Sequence, residues 1–133
     1  MKALDTNVLV RFLMNDDEAQ AQQVYRLFKT AEAQQEPLLV PLLVVLELFW
    51  VLESAYRLSR GEILEVMDDL LLMPILVFEN RVALHHFLAE ARNINADLSD
   101  LLIAHSAQAA GAEEVLTFDR KALRSPLFKR LAN

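Results

Sequence analysis

The sequence predicts an α/β fold with a central parallel sheet of four or five short strands, flanked by helices on both faces. Three observations carry this. Short apolar runs alternate along the chain with longer segments of helical period. At 133 residues, the chain is long enough to bury one core without disulfides or a structural metal. Only two glycines and four prolines interrupt it, which rules out collagen-like or low-complexity character. Strands that alternate with helices pair in parallel and are covered on both faces. No internal repeat and no linker is visible, so one domain is expected over residues 1–133.

The elements follow in order. Lys2–Leu4 is a brief apolar start, and Asp5-Thr6-Asn7 supplies capping residues for a helical Val8–Met14. Asn15-Asp16-Asp17-Glu18 caps a second helix, in which Val24, Leu27, Phe28 and Ala31 share one face. Leu38–Val40, ended by Pro41, reads as a buried strand. Leu42–Tyr56 is then a helix apolar nearly all round, which predicts that it is enclosed. Ser59-Arg60-Gly61-Glu62 has the form of a capping box ahead of Ile63, Val66, Met67, Leu70 and Leu71. Ile75–Phe78 is a third strand, and a helix carrying Leu84, Phe87, Leu88 and Ala91 follows. Asp97-Leu98-Ser99-Asp100 opens another helix that runs to Gly111, a residue suited to the position after a helix end. Glu114–Thr117 is a fourth strand, and Phe118-Asp119-Arg120 starts a short basic tail.

Composition narrows the chemistry. With no cysteine, a disulfide framework, a thiolate zinc site, an iron–sulfur cluster and a cysteine nucleophile are all excluded. The formal net charge of −6 argues against a protein that coats nucleic acid through surface charge. It leaves room for a nucleic-acid enzyme whose metal ions supply the positive charge. Asp5 interrupts the N-terminal apolar stretch at once, unlike a secretory signal. The apolar run from Leu38 to Leu52 contains Pro41 and Glu47 and is too short to cross a bilayer. A cytoplasmic protein with no membrane contact is expected.

The acidic residues carry the functional signal. Glu47 has Leu43, Val44, Trp50 and Val51 at helical spacing, which puts its carboxylate on an apolar stripe; buried Glu needs a partner or a metal. A buried salt bridge is the structural alternative. Asp100 shares a face with Ile103, Ala104 and Ala107, where first-turn charge on a helix is the alternative. Asp97, Asp5 and Asp119 each stand where a helix cap would stand, and capping accounts for any one of them alone. In a parallel sheet, however, residues just past the strand ends gather on one edge, where such folds bind ligands. Four converging carboxylates without cysteine form an oxygen-rich site suited to Mg²⁺ or Mn²⁺.

Taken in order, Met1-Lys-Ala-Leu-Asp5-Thr6-Asn7-Val-Leu-Val-Arg11, Glu47 in Leu-Glu-Leu-Phe-Trp-Val-Leu, Asp97-Leu-Ser-Asp100-Leu-Leu-Ile-Ala and Thr117-Phe-Asp119-Arg resemble a PIN domain. More narrowly, they resemble the VapC toxins of bacterial toxin–antitoxin pairs, over essentially the whole chain. The resemblance implies a single PIN-like domain and a metal-dependent endoribonuclease, held in check by a VapB-type antitoxin and usually a homodimer. It carries the acidic quartet onto Asp5, Glu47, Asp100 and Asp119, with Asp5, Asp100 and Asp119 as ligands of Mg²⁺ or Mn²⁺. Asp97, Thr6, Asn7 and Thr117 match polar positions near the site.

Substrate contacts are less visible in the residues. Arg120, Lys121, Arg124, Lys129 and Arg130 crowd the last fourteen positions and are candidates for holding RNA phosphates, as is Arg11. A solvated basic tail and pairing with acids are the plain alternatives. His85, His86 and His105 lack ligand spacing and are expected to be structural or at the surface. Trp50, Phe49 and Phe87 are expected in the core. Mean hydropathy of +0.22 suggests leftover apolar surface for a dimer or an antitoxin helix. Two rivals remain in view. A non-catalytic PIN-like binding module would be favoured by a missing acid, and none is missing. A phosphoacceptor domain would want an acidic pair at the first strand and a lysine after the last; here one Asp ends the first strand, and Lys121 sits in a helical tail.

Overall fold

The computed structural model describes residues 1–131, which fold as two compact units, Met1–Glu79 and a second that begins at Asn80. Residues 132 and 133 of the expected domain lie outside the described residues.

The first unit begins with β1 (Lys2–Ala3) and α1 (Thr6–Met14), followed by α2 (Glu18–Gln34), β2 (Leu38–Val40) and α3 (Leu42–Ser54). It ends with α4 (Arg60–Leu71) and β3 (Leu76–Phe78). The three strands pair in parallel in the order β1-β2-β3, with Leu38 opposite both Lys2 and Leu76. The central strand β2 is the most enclosed, and Leu38 and Val40 point into apolar surroundings with Leu76 and Phe78. Helices supply the rest of the core through Leu9, Leu48, Phe49, Leu52, Ile63 and Met67. Each such side chain removed from water contributes about 1.5–3 kcal/mol before the entropy of ordering is counted.

Local chemistry sets the helix starts. Asp17 accepts the Gln20 amide and begins α2, and the capping box at Ser59 and Glu62 is complete in both directions. Those bonds hold the Glu62 carboxyl below its ordinary range, chiefly through the Ser59 backbone N–H. Helix α3 begins after Pro41, whose own side chain cannot cap, and the Glu79 carboxylate accepts the Leu42 amide instead at 2.7 Å.

The second unit comprises α5 (Arg81–Ala91), α6 (Leu98–Ala109), β4 (Val115–Thr117), a 3-10 turn at Ala122–Arg124 and β5 (Phe128–Arg130). Helices α5 and α6 pack on each other, and β4 pairs in parallel with β5, Val115 opposite Phe128. Ala104, Ala122 and Phe128 form a small core with Val115, Leu123 and Leu127 against it. Gly111 has φ +98°, a left-handed conformation that glycine adopts without steric cost and that ends α6 as the sequence predicts.

The fold class is therefore as read from the sequence: α/β with parallel strands and helices. The strands number five among the described residues, three in one sheet and two in another. The segment after Asp119 is not merely a basic tail, because β5 and the 3-10 turn lie within it. No helix among the described residues is long and apolar enough to cross a membrane.

Candidate active site

In the first unit, Asp5 follows directly on β1 and Leu4 and is the N-cap of α1. Its Oδ1 accepts the Thr6 amide at 2.8 Å, and the residue is exposed. Capping therefore uses one carboxylate oxygen. The Thr6 hydroxyl beside it is buried and has no hydrogen-bond partner among the described residues. A buried hydroxyl of that kind is normally satisfied by a water or a ligand oxygen. Asn7 and Arg11 line a shallow apolar groove of about 250 Å³ with Val8, Val24 and Leu27. Arg11 is engaged within its own unit: Nε donates to Gln20 and the guanidinium pairs with Asp16 at 3.3 Å. Pairing with an acid, the plain alternative for this residue, is what is observed.

Glu47 requires a correction. The expected burial on an apolar stripe is absent, because Glu47 is exposed and so are its neighbours Leu43 (77 %) and Trp50 (66 %). Helix α3 is enclosed on one side only, through Val45, Leu48, Phe49 and Leu52. Trp50 accordingly leaves the list of expected core aromatics, whereas Phe49 and Phe87 keep their places. The physical reason is that a helix apolar all round buries only as many faces as its own chain covers. The remainder is left in solvent, with Glu47 in its middle.

In the second unit, Asp97 is the N-cap of α6 and accepts the Asp100 amide at 3.2 Å. Asp100 is half-buried in the first turn. Burial pushes its carboxyl above the ordinary range, and the negative charges of Asp97 and Asp119 push it the same way. The three acids of this unit are therefore near enough for their charges to act on one another. Asp119 sits on a turn tied at both ends. Its amide donates to the Thr117 hydroxyl at 3.0 Å, and its Oδ1 accepts the Lys121 amide at 2.9 Å. Thr117 thereby acts as a positioning residue for Asp119. Of the basic residues, Arg120 and Lys121 are exposed, Arg124 donates to the Asn95 carbonyl at 2.6 Å, and Lys129 stands 4.0 Å from Glu114.

A buried polar cluster in this unit escaped the sequence reading. His105, 7 % exposed, places Nε2 2.9 Å from Glu90 Oε1, and the Ser125 hydroxyl donates to Glu90 Oε2 at 2.9 Å. Phe87 meets the His105 ring edge-on at 6.5 Å. Glu90 thus ties α5, α6 and the segment before β5 together. The partners are 15 and 35 residues apart in the chain, so no local spacing announces them. His85 and His86 are exposed, as expected.

Among the described residues, no three His, Asp or Glu side chains stand as a ready set of metal ligands. The donor chemistry is nonetheless that of a hard cation: carboxylate and hydroxyl oxygen only, with the crowding at Asp100 a charge excess that a divalent ion would relieve.

Residues 2–128 match the family described as PIN domain. Among curated proteins, a VapC ribonuclease of Aquifex aeolicus (strain VF5) is 31 % identical over 125 residues, covering 91 % of this chain and 89 % of that protein.

Proposed function

The chain belongs to the PIN-domain family, on its VapC branch, and from that premise we propose that it is a metal-dependent endoribonuclease, the toxin of a VapBC-type pair. The observation that carries this reading is the match across residues 2–128; Asp5, Glu47, Asp100 and Asp119 are the acids the resemblance assigns to the site.

In this reading Asp5, Asp100 and Asp119 hold Mg²⁺ or Mn²⁺, with Asp97 beside them. The bound ion supplies charge neutralisation at the scissile phosphodiester and a lowered pKa for water. The chain's own residues do the rest. Burial and the charges of Asp97 and Asp119 raise the Asp100 carboxyl above its ordinary range, and a cation nearby would oppose that shift. Thr117 fixes the turn that presents Asp119. Glu47, exposed on α3, orients the attacking water and accepts its proton. Arg120 and Lys121 meet substrate phosphates, while Arg11 contributes once RNA competes with Asp16 for its guanidinium. Thr6 and Asn7 complete the polar surround of Asp5.

The partners in this reading are RNA, a VapB-type antitoxin and a second copy of the chain, in the cytoplasm. The uncovered side of α3, with Leu43 and Trp50, supports a protein partner, since large apolar side chains clustered at a surface mark interfaces.

The test is cleavage of total RNA by the purified chain with Mg²⁺, with chelator, and by the Asp5→Asn variant. Discrete products that require the metal and fall at least about 100-fold in the variant are expected, because the site supplies several kcal/mol of charge stabilisation. Cleavage unchanged in Asp5→Asn removes the site assignment. A folded, metal-binding chain that cuts no RNA in the pool is either a binding module or a nuclease whose narrow substrate the pool lacks.

A further inference from the structure

Phe118 is 75 % exposed, and it directly precedes Asp119 in the chain. Large aromatic side chains are rarely left in solvent at no gain. This one is also held in place. The Thr117 hydroxyl takes the Asp119 amide and the Asp119 carboxylate takes the Lys121 amide, so the backbone on which Phe118 sits is a double side-chain turn rather than a loose loop. Leu116, two residues earlier, is 57 % exposed, while Val115 and Thr117 between and before them are half-buried. The alternation places Leu116 and Phe118 on the outward side. The partner strand adds charge: Lys129 lies opposite Leu116 and Arg130 opposite Thr117, both exposed.

The charge around this face selects its occupant. Between positions 113 and 131, the stretch that carries β4 and β5, there are five Lys and Arg against three Asp and Glu, while the remaining residues hold eight against sixteen. The other exposed aromatic of comparable size, Trp50, has Glu47 and Glu53 for neighbours and no Lys or Arg anywhere from 42 to 56. The sequence around Trp50 offers no cation to an RNA backbone, whereas that around Phe118 offers several.

We infer that Phe118, backed by Leu116, is the stacking platform for an unpaired base of the RNA substrate next to the phosphodiester that is cut. The inference rests on the nuclease reading above and deepens it by assigning the residue that favours single-stranded over paired RNA. Stacking accepts any base because every base has a π face, and flanking cations hold the backbone. Arg120, Lys121, Lys129 and Arg130 are those cations.

The experiment measures binding of a fluorescein-labelled, mixed-sequence single-stranded oligoribonucleotide by fluorescence polarisation, with Mg²⁺ present and Asp5→Asn as the background that prevents cleavage. Phe118→Ala and Phe118→Leu weaken binding by roughly 5- to 150-fold, while Phe118→Trp retains it. The factor lost is the same at low and high salt, whereas Arg120→Ala lowers the salt slope. Binding to the same sequence as a duplex is insensitive to position 118. Circular dichroism checks folding, and should Phe118→Ala fail to fold, the Leu and Trp variants make the same discrimination. Equal affinity of all variants for RNA, in a chain that does cleave RNA, overturns the platform and leaves the nuclease standing. Loss of self-association in Phe118→Ala with RNA affinity intact also overturns it and makes the face a protein interface. A chain that neither binds nor cuts RNA overturns the nuclease reading itself.

Discussion

Helices α3 and α6 each carry an acid of the predicted quartet, and they dispose of it in opposite ways. On α3, Glu47 has apolar neighbours in every helical direction and yet stands in solvent between exposed Leu43 and Trp50. On α6, Asp100 occupies the first turn, where a charged side chain ordinarily stays wet, and is half-buried with its carboxyl pushed up by burial and by Asp97 and Asp119. The less apolar helix hosts the more buried acid. The hydropathy of sequence neighbours therefore says what a side chain sits beside, whereas burial depends on what else the chain brings to that face. For α3 the chain brings enough to cover one side.

The contrast is sharpest in adjacent residues of α3. Phe49 is 1 % exposed and Trp50 is the exposed one of the pair. Phe49→Ala should destabilise the chain by about 3–5 kcal/mol, the usual range for a buried aromatic, and Trp50→Ala by less than about 0.5 kcal/mol. Urea unfolding of the two variants measures both. Similar losses would mean that α3 is covered on both sides in solution.

On α6 the buried polar residue is His105, and its support is Glu90. Glu90→Ala removes the acceptor of His105 Nε2 and of the Ser125 hydroxyl together. Leaving two buried groups unpaired should cost about 2–4 kcal/mol, and Glu90→Gln less, since the amide keeps one acceptor. Equal stability of the alanine variant and the parent in denaturant titration would show that water reaches this cluster freely.

A smaller effect separates Asp100 from Glu47. The folded chain binds the Asp100 proton more tightly than the unfolded chain does. The cost of ionising it therefore appears as pH rises through 3.8 and is complete above the raised value. At neutral pH and in chelator, Asp100→Asn should raise Tm by up to a few degrees, and the gain should vanish near pH 3. Differential scanning calorimetry across that range checks the sign; a lower Tm at neutral pH would mean that the charged form is stabilised rather than crowded. Glu47→Gln, at an exposed position, should leave Tm within about a degree at any pH.

Much of this was legible in the sequence where the cause is local. Leu38–Val40 is a strand bounded by prolines, the Ser59 and Glu62 box closes within four residues, and Gly111 ends its helix for a reason internal to one residue. Asp5, Asp97 and Asp119 were found as turn and cap acids because their backbone partners are one to three residues away. Strand β5 was missed because three residues, Phe128-Lys129-Arg130, are too few to display a period, and its pairing partner β4 lies some distance back. The Glu90 cluster was missed for the same reason of distance. The exposure of Leu43, Glu47 and Trp50 had no signal at all, since nothing in a single sequence tells an apolar face covered by its own chain from one left for another molecule.

Trp50 is the sole tryptophan of the chain, and it stands in water one helical turn from Glu47. Its fluorescence is therefore a built-in gauge of what touches α3. Emission should be red-shifted in the isolated chain and should move to the blue when a protein covers that helix. One label-free spectrum would thus report when a protein has covered that helix, in a chain carrying no dye and no substitution.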